Sequence, residues 1–129
     1  MADKDVVRTE AAPAPFQGAP YSQAIRAGGF LFVSGQVALR AHGGELAGDT
    51  IEEQTEQVFA NLSAILEAAG SSLDRIVKTT VFLADFDDFS GMNEVYRKHI
   101  GDVPPARATV EVSRLPSGAK VEIEAIAIA

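Results

Sequence analysis

Residues 103–129 read VPPARATVEVSRLPSGAKVEIEAIAIA, and the end of this run carries a pattern that asks for explanation. From Val121 onward the side chains alternate as a strand requires. Val121, Ile123, Ala125 and Ala127 fall on one face, and Glu122, Glu124, Ile126 and Ile128 on the other. The first set is wholly apolar and suits a core. The second opens with two carboxylates and closes with two isoleucines, so part of it also seeks cover. Earlier in the run, Arg107 follows two prolines and leads an apolar strand, ARATVEVSRL, which a Leu-Pro-Ser-Gly turn separates from the last one.

Moving upstream, RIVKTTVFLAD (75–85) is rich in β-branched residues and reads as a buried strand. A helix is predicted over about 86–99, with Asp85 as cap, Asp87 and Asp88 at its positive end, and Phe89, Met92 and Tyr96 on one face. The clearest helix spans 51–69: Thr50 and Glu53 form a capping box, and Val58, Leu62, Ile65, Leu66 and Ala69 repeat along one stripe. PYSQAIRAGGFLFVSGQVAL (20–39) gives two short strands around Ala27-Gly28-Gly29, and RAHGGELAGD (40–49) reads as loop. Residues 1–14, polar and then Ala/Pro-rich, are expected to be a flexible tail, with a single domain over 15–129.

The order β-β-α-β-α-β-β makes an α+β fold in which two amphipathic helices cover one face of a mixed sheet. No helix remains for the other face. The pairing of Glu122 and Glu124 with Ile126 and Ile128 on that side therefore predicts a homo-oligomer packed through its sheets.

Composition narrows the function. The chain has 129 residues, 47% hydrophobic and 22% charged, with net charge −7 and no cysteine. An acidic chain with scattered lysines and arginines is not expected to take nucleic acid as its main partner. The absence of cysteine removes disulfides, thiolate zinc sites and a thiol nucleophile, and fits a cytoplasmic protein. No secretory signal and no membrane-spanning run is expected. The only histidines, His42 and His99, stand in no metal-ligand spacing, so neither metal nor cofactor is expected. Ser34 in VSGQ lacks the flanking glycines of a nucleophile elbow. What remains is Arg107, a planar fork suited to a carboxylate, and the pair Glu122 and Glu124, one of which could serve as a water-activating base in a partly buried cleft. Each also has a plain reading: a strand-end arginine and the solvated side of an amphipathic strand.

Five blocks decide between these readings: PYSQA (20–24), FVSGQ (32–36), IVKTTVFLAD (76–85), MNEVY (92–96) and PPARATVEVSRLPSGAKVEIEAIA (104–127). In order and spacing they resemble the RidA (YjgF/YER057c/UK114) family. The resemblance implies a chorismate-mutase-like fold assembled as a homotrimer, with the sheets forming a central barrel and ligand clefts between subunits. It implies hydrolysis of reactive 2-imino and enamine acids, such as 2-iminobutanoate and 2-iminopropanoate, to 2-keto acids and ammonia. Pyridoxal-phosphate-dependent dehydratases would be the source of those intermediates. By the same resemblance Arg107 binds the substrate carboxylate and Glu122 activates water. Tyr21, Ser34, Gly35, Asn93 and Thr109 line the cleft. Two departures stand out: Ala19 is inserted ahead of Pro20-Tyr21, which bears on where Tyr21 sits, and Thr109 replaces a frequent cysteine. A trimeric binder of small carboxylates without turnover is the alternative, and RNA cleavage a more distant one.

Overall fold

The structure, a computed structural model, describes residues 3–129. Eight elements follow in chain order: β1 (Asp5–Val7), β2 (Ala24–Ala27), β3 (Phe30–Val37), α1 (Ile51–Ala68), β4 (Ile76–Leu83), α2 (Phe89–His99), β5 (Ala106–Glu111) and β6 (Val121–Ile128). The six strands make one sheet in the order β1-β2-β3-β6-β4-β5. Among the described residues only β4 and β5 run parallel, as the α2 crossover between them requires. The α+β architecture is the expected one.

Both helices lie on one face. Thr50 and Glu53 form the capping box of α1 with both reciprocal hydrogen bonds made. Behind it Val58, Phe59, Leu62, Ile65 and Leu66 are fully buried. They pack with Val121, Ile123 and Ala127 of β6, and each such side chain is worth roughly 1.5–3 kcal/mol of burial. Asn61 is the polar exception on this helix: its amide donates to the carbonyls of Val37 (3.2 Å) and Leu39 (3.0 Å), fixing the end of β3.

Two expectations are corrected. The flexible tail over 1–14 is not what residues 5–12 form. Val7 and Ala12 are buried, β1 pairs antiparallel with β2, and the Gln23 side chain bonds the backbone of Thr9, Ala12 and Pro13. A three-residue edge strand with one buried side chain has no periodicity to read. The element order thus gains a strand and becomes β-β-β-α-β-α-β-β. The second helix also begins later than expected: residues 86–88 form a 3₁₀ turn, which Asp85 caps through the Asp87 N–H (2.9 Å), and α2 proper starts at Phe89.

The hairpin β2–β3 turns on Gly28 and Gly29, both at positive φ (59° and 81°), as a two-residue turn matched to sheet twist demands. Opposite the helices, the sheet face is bare. Val6, Phe30, Phe32, Val110 and Ile128 are exposed there alongside Glu124. The alternation read along β6 is what places Ile128 on that side.

Candidate functional site

The carboxylate half of the site is built by an irregularity in β3. Val33 pairs with Ala125 and Gln36 with Ile123, so Ser34 and Gly35 together oppose Glu124. This bulge turns the strand and leaves the Gly35 backbone bare beneath the Glu122 side chain. A β-carbon on Gly35 would lie 2.2 Å from Glu122 Oε2. Any larger side chain there would have to displace the Glu122 carboxylate.

Tyr21, Ser34, Gly35, Val37, Glu122 and Glu124 line one open cavity of about 440 Å³. Tyr21 reaches it despite the inserted Ala19: its hydroxyl accepts the Phe16 N–H (2.6 Å), and its own N–H donates to Ala19 O (2.9 Å). Ser34 donates its hydroxyl proton to Ser22 O (2.6 Å), which leaves only oxygen lone pairs to offer the cavity. The turns at 15–19 and 115–119 rim the space through Phe16, Ala19 and Pro116. Each holds a non-glycine residue at positive φ, Gln17 (53°) and Ser117 (59°), a strain that persists where surroundings over-determine it.

Glu122 is half-buried in this cavity. Burial pushes its carboxyl above the ordinary range, and the neighbouring Glu124 charge pushes it further the same way. A carboxylate in that condition holds a proton well and, once ionised, is a better base than a solvated one.

The cationic half is elsewhere. Phe89, Asn93 and Tyr96 stand at i, i+4 and i+7 on α2 and face β5. Arg107 lies against them: its Nη1 donates to Asn93 Oδ1 (2.8 Å), and its guanidinium carbon sits 4.7 Å from the Tyr96 ring centroid and 5.5 Å from that of Phe89. Among the described residues the only ion pairs are those of Glu56 with Lys98 and His99, so Arg107 has no carboxylate partner. It opens onto a shallow cavity of about 580 Å³ with Asn93, Tyr96, Asp102 and Pro105.

The register shows how these halves relate. Arg107 pairs with Thr79, which pairs with the buried Ala125, so all three share the helix-covered side. Glu122 pairs with Phe82, which pairs with Val110, and these share the bare side. Arg107 and Glu122 are therefore on opposite faces of one sheet. Tyr21, Ser34, Gly35 and Glu122 are brought together, and Arg107 with Asn93, but the two groups do not face each other within the chain. Thr109 lines neither cavity; it pairs with Val81 on the helix side, and its Oγ1 is buried with no hydrogen-bond partner. The sequence reading had assigned Phe89 and Tyr96 to the core face of a helix. Their spacing around Asn93 was the signal that they also cradle a cation.

Among the described residues no three His, Asp or Glu side chains converge as metal ligands, and no helix is long and apolar enough to cross a membrane.

The chain is similar to known proteins over nearly its whole length. The sequence model of the family described as Endoribonuclease L-PSP matches residues 9–129. A RutC family protein of Pyrococcus horikoshii is 53% identical over 124 residues, covering 96% of this chain and 97% of its own. The 2-iminobutanoate/2-iminopropanoate deaminase of Mus musculus is 43% identical, covering 97% of this chain and 91% of its own. The crystal structure of E. coli TdcF with bound serine superposes with a TM-score of 0.89 at 38% identity, covering 97% of this chain and 98% of that one.

Proposed function

The chain belongs to the Endoribonuclease L-PSP family, the RidA family of the sequence resemblance, and on that premise we propose that it hydrolyses 2-imino and enamine acids to 2-keto acids and ammonia. The substrates proposed are 2-iminobutanoate and 2-iminopropanoate, released by pyridoxal-phosphate-dependent dehydratases.

The observation that carries the proposal is the Glu122 carboxylate, half-buried over the bare Gly35 backbone with its pKa raised by desolvation. A protonated imine is electrophilic enough for water to attack without a metal or a covalent nucleophile. Glu122 takes a proton from water as its oxygen bonds the C=N carbon, and the C=N electron pair moves to nitrogen. The resulting carbinolamine collapses: Glu122 returns its proton to the amine, the C–N bond breaks as the C=O bond forms, and the hydroxyl proton passes to the departing ammonia, which leaves as ammonium. Arg107 holds the substrate carboxylate through its fork. Asn93 and the two rings keep that fork aimed without neutralising it. Tyr21, Ser34 and Gly35 shape the cleft, and Thr109, which lines neither cavity, is given no part in it.

Because Arg107 and Glu122 occupy opposite faces, the complete site needs a second copy, and a homotrimer packed through the bare faces is the assembly proposed. The exposed Phe30, Phe32 and Ile128 support it. The net charge of −7 supports a small-molecule substrate over nucleic acid, and the cysteine-free composition fits the cytoplasm.

The test couples the protein to a threonine dehydratase with semicarbazide present. Wild type should suppress imine trapping and speed 2-oxobutanoate release, and Arg107→Ala should lose both effects. Unchanged trapping at high protein concentration would sink the deaminase reading. The serine bound by the TdcF relative favours the second reading, a binder of small carboxylates without turnover, which would then stand.

A further inference from the structure

We infer that Tyr96, anchored by Thr79, is a positioning residue that sets the guanidinium of Arg107 for carboxylate capture. The inference rests on the carboxylate-binding role proposed for Arg107.

A free arginine side chain has more rotamer freedom than almost any other, and ordering it is what a carboxylate site must overcome. Asn93 alone cannot do so, because one hydrogen bond to Nη1 leaves the guanidinium free to swing about that contact. Tyr96 supplies a plane. Its ring lies 4.7 Å from the guanidinium carbon, within the range where a cation is held against an aromatic face.

The ring itself is fixed in three ways. Tyr96 is 4% exposed, it meets Phe59 edge to face at 5.5 Å, and its hydroxyl lies 2.7 Å from Thr79 Oγ1. Thr79 is 1% exposed and is the backbone partner of Arg107 across the β4–β5 ladder. A closed circuit results. The sheet holds Thr79 beside Arg107, Thr79 holds the tyrosine hydroxyl, and the tyrosine ring holds the head of Arg107. Geometry at the far end of the side chain is thus referred back to the strand that bears it. A leucine would fill much of the same core and provide neither the ring nor the bond.

The test measures kcat and KM in the coupled imine assay, and affinity for 2-oxobutanoate and for the uncharged 2-oxobutanamide by calorimetry. Tyr96→Leu should raise KM and weaken 2-oxobutanoate binding about fivefold to tenfold, the scale of a partly desolvated cation–π contact, with kcat within about twofold. Tyr96→Phe and Thr79→Val, which keep the ring, should weaken both about twofold to threefold. Amide binding should not change. If Tyr96→Leu does not fold, the two milder variants carry the test. Variants that bind 2-oxobutanoate as wild type does, or that lose the amide equally, overturn the positioning role. Wild-type protein that neither turns over imine nor binds 2-oxobutanoate overturns instead the role of Arg107 on which it rests.

Discussion

Replacing Gly35 by alanine should separate folding from catalysis. The added β-carbon would lie 2.2 Å from Glu122 Oε2, 2.9 Å from Cδ and 3.1 Å from Cγ. Gly35 is not among the residues at positive φ, so alanine fits the backbone, and the conflict is with one side chain only. That side chain is half-buried and flexible. It can rotate toward the open cavity at a conformational cost of about 0.5–1.5 kcal/mol. Against this, alanine restricts the unfolded chain and stabilises by about 0.4–1 kcal/mol. The two nearly cancel, so Tm should stay within about 5 °C of wild type. Activity has no such offset. Moving the carboxylate by about an ångström from its water should reduce kcat/KM on the order of 100-fold, about 2.7 kcal/mol of barrier. Calorimetric melting and the semicarbazide-trapping assay read the two quantities. Retention of kcat/KM within threefold would refute the placement of Glu122 over Gly35 as functional. A Tm loss above about 10 °C would show instead that Glu122 is packed too tightly to yield.

Glu124→Gln removes the lesser of the two causes that raise the Glu122 pKa, so the acid limb of the kcat/KM profile should move to lower pH while staying above an ordinary glutamate, since desolvation remains. For stability the sign is set by the same shift: a carboxyl whose folded pKa exceeds the ordinary 4.5 stabilises the fold only while protonated, and that contribution is lost as pH rises through the folded value. Glu122→Gln should therefore be more stable than wild type at pH 8 in urea unfolding, with the difference fading below about the ordinary carboxylate value. Phe32→Glu puts a charge on the bare face, where Phe32 is 44% exposed. It should yield a monomer by light scattering, with native circular dichroism and activity lowered more than about 100-fold; an active monomer would contradict the proposed intersubunit site. Asn61→Ala strands the Val37 and Leu39 carbonyls and should destabilise by roughly 2–4 kcal/mol in urea, with the Glu122 cavity edge loosened.

Much of this molecule was visible in its sequence, and the parts that were not share a cause. The α1 capping box and the two faces of β6 follow from local chemistry and strict periods, and both stand as read. β1 was missed because its residues acquire meaning only when β2 and the Gln23 side chain lie beside them. The face occupied by Arg107 was equally hidden. In β5 no run of buried apolar side chains marks an inner side, so parity comes only from the register against Thr79. The bulge at Ser34 and Gly35 changes the phase of β3 midway, which an alternation count along FVSGQV cannot anticipate. Local pattern names the actors; long-range pairing decides which side of the sheet each one occupies.

That sheet acts as a partition. With its cation on one side and its base on the other, a solitary chain on the proposed assembly would hold both reagents and be unable to combine them. Specific activity then becomes a property of concentration: dilution below the dissociation constant would silence a perfectly folded protein, and recovery would follow the kinetics of encounter rather than of chemistry. It also alters how damage would be recorded. A lesion at Ile128, which activates no water and moves no proton, would look in an assay like the loss of a catalytic group.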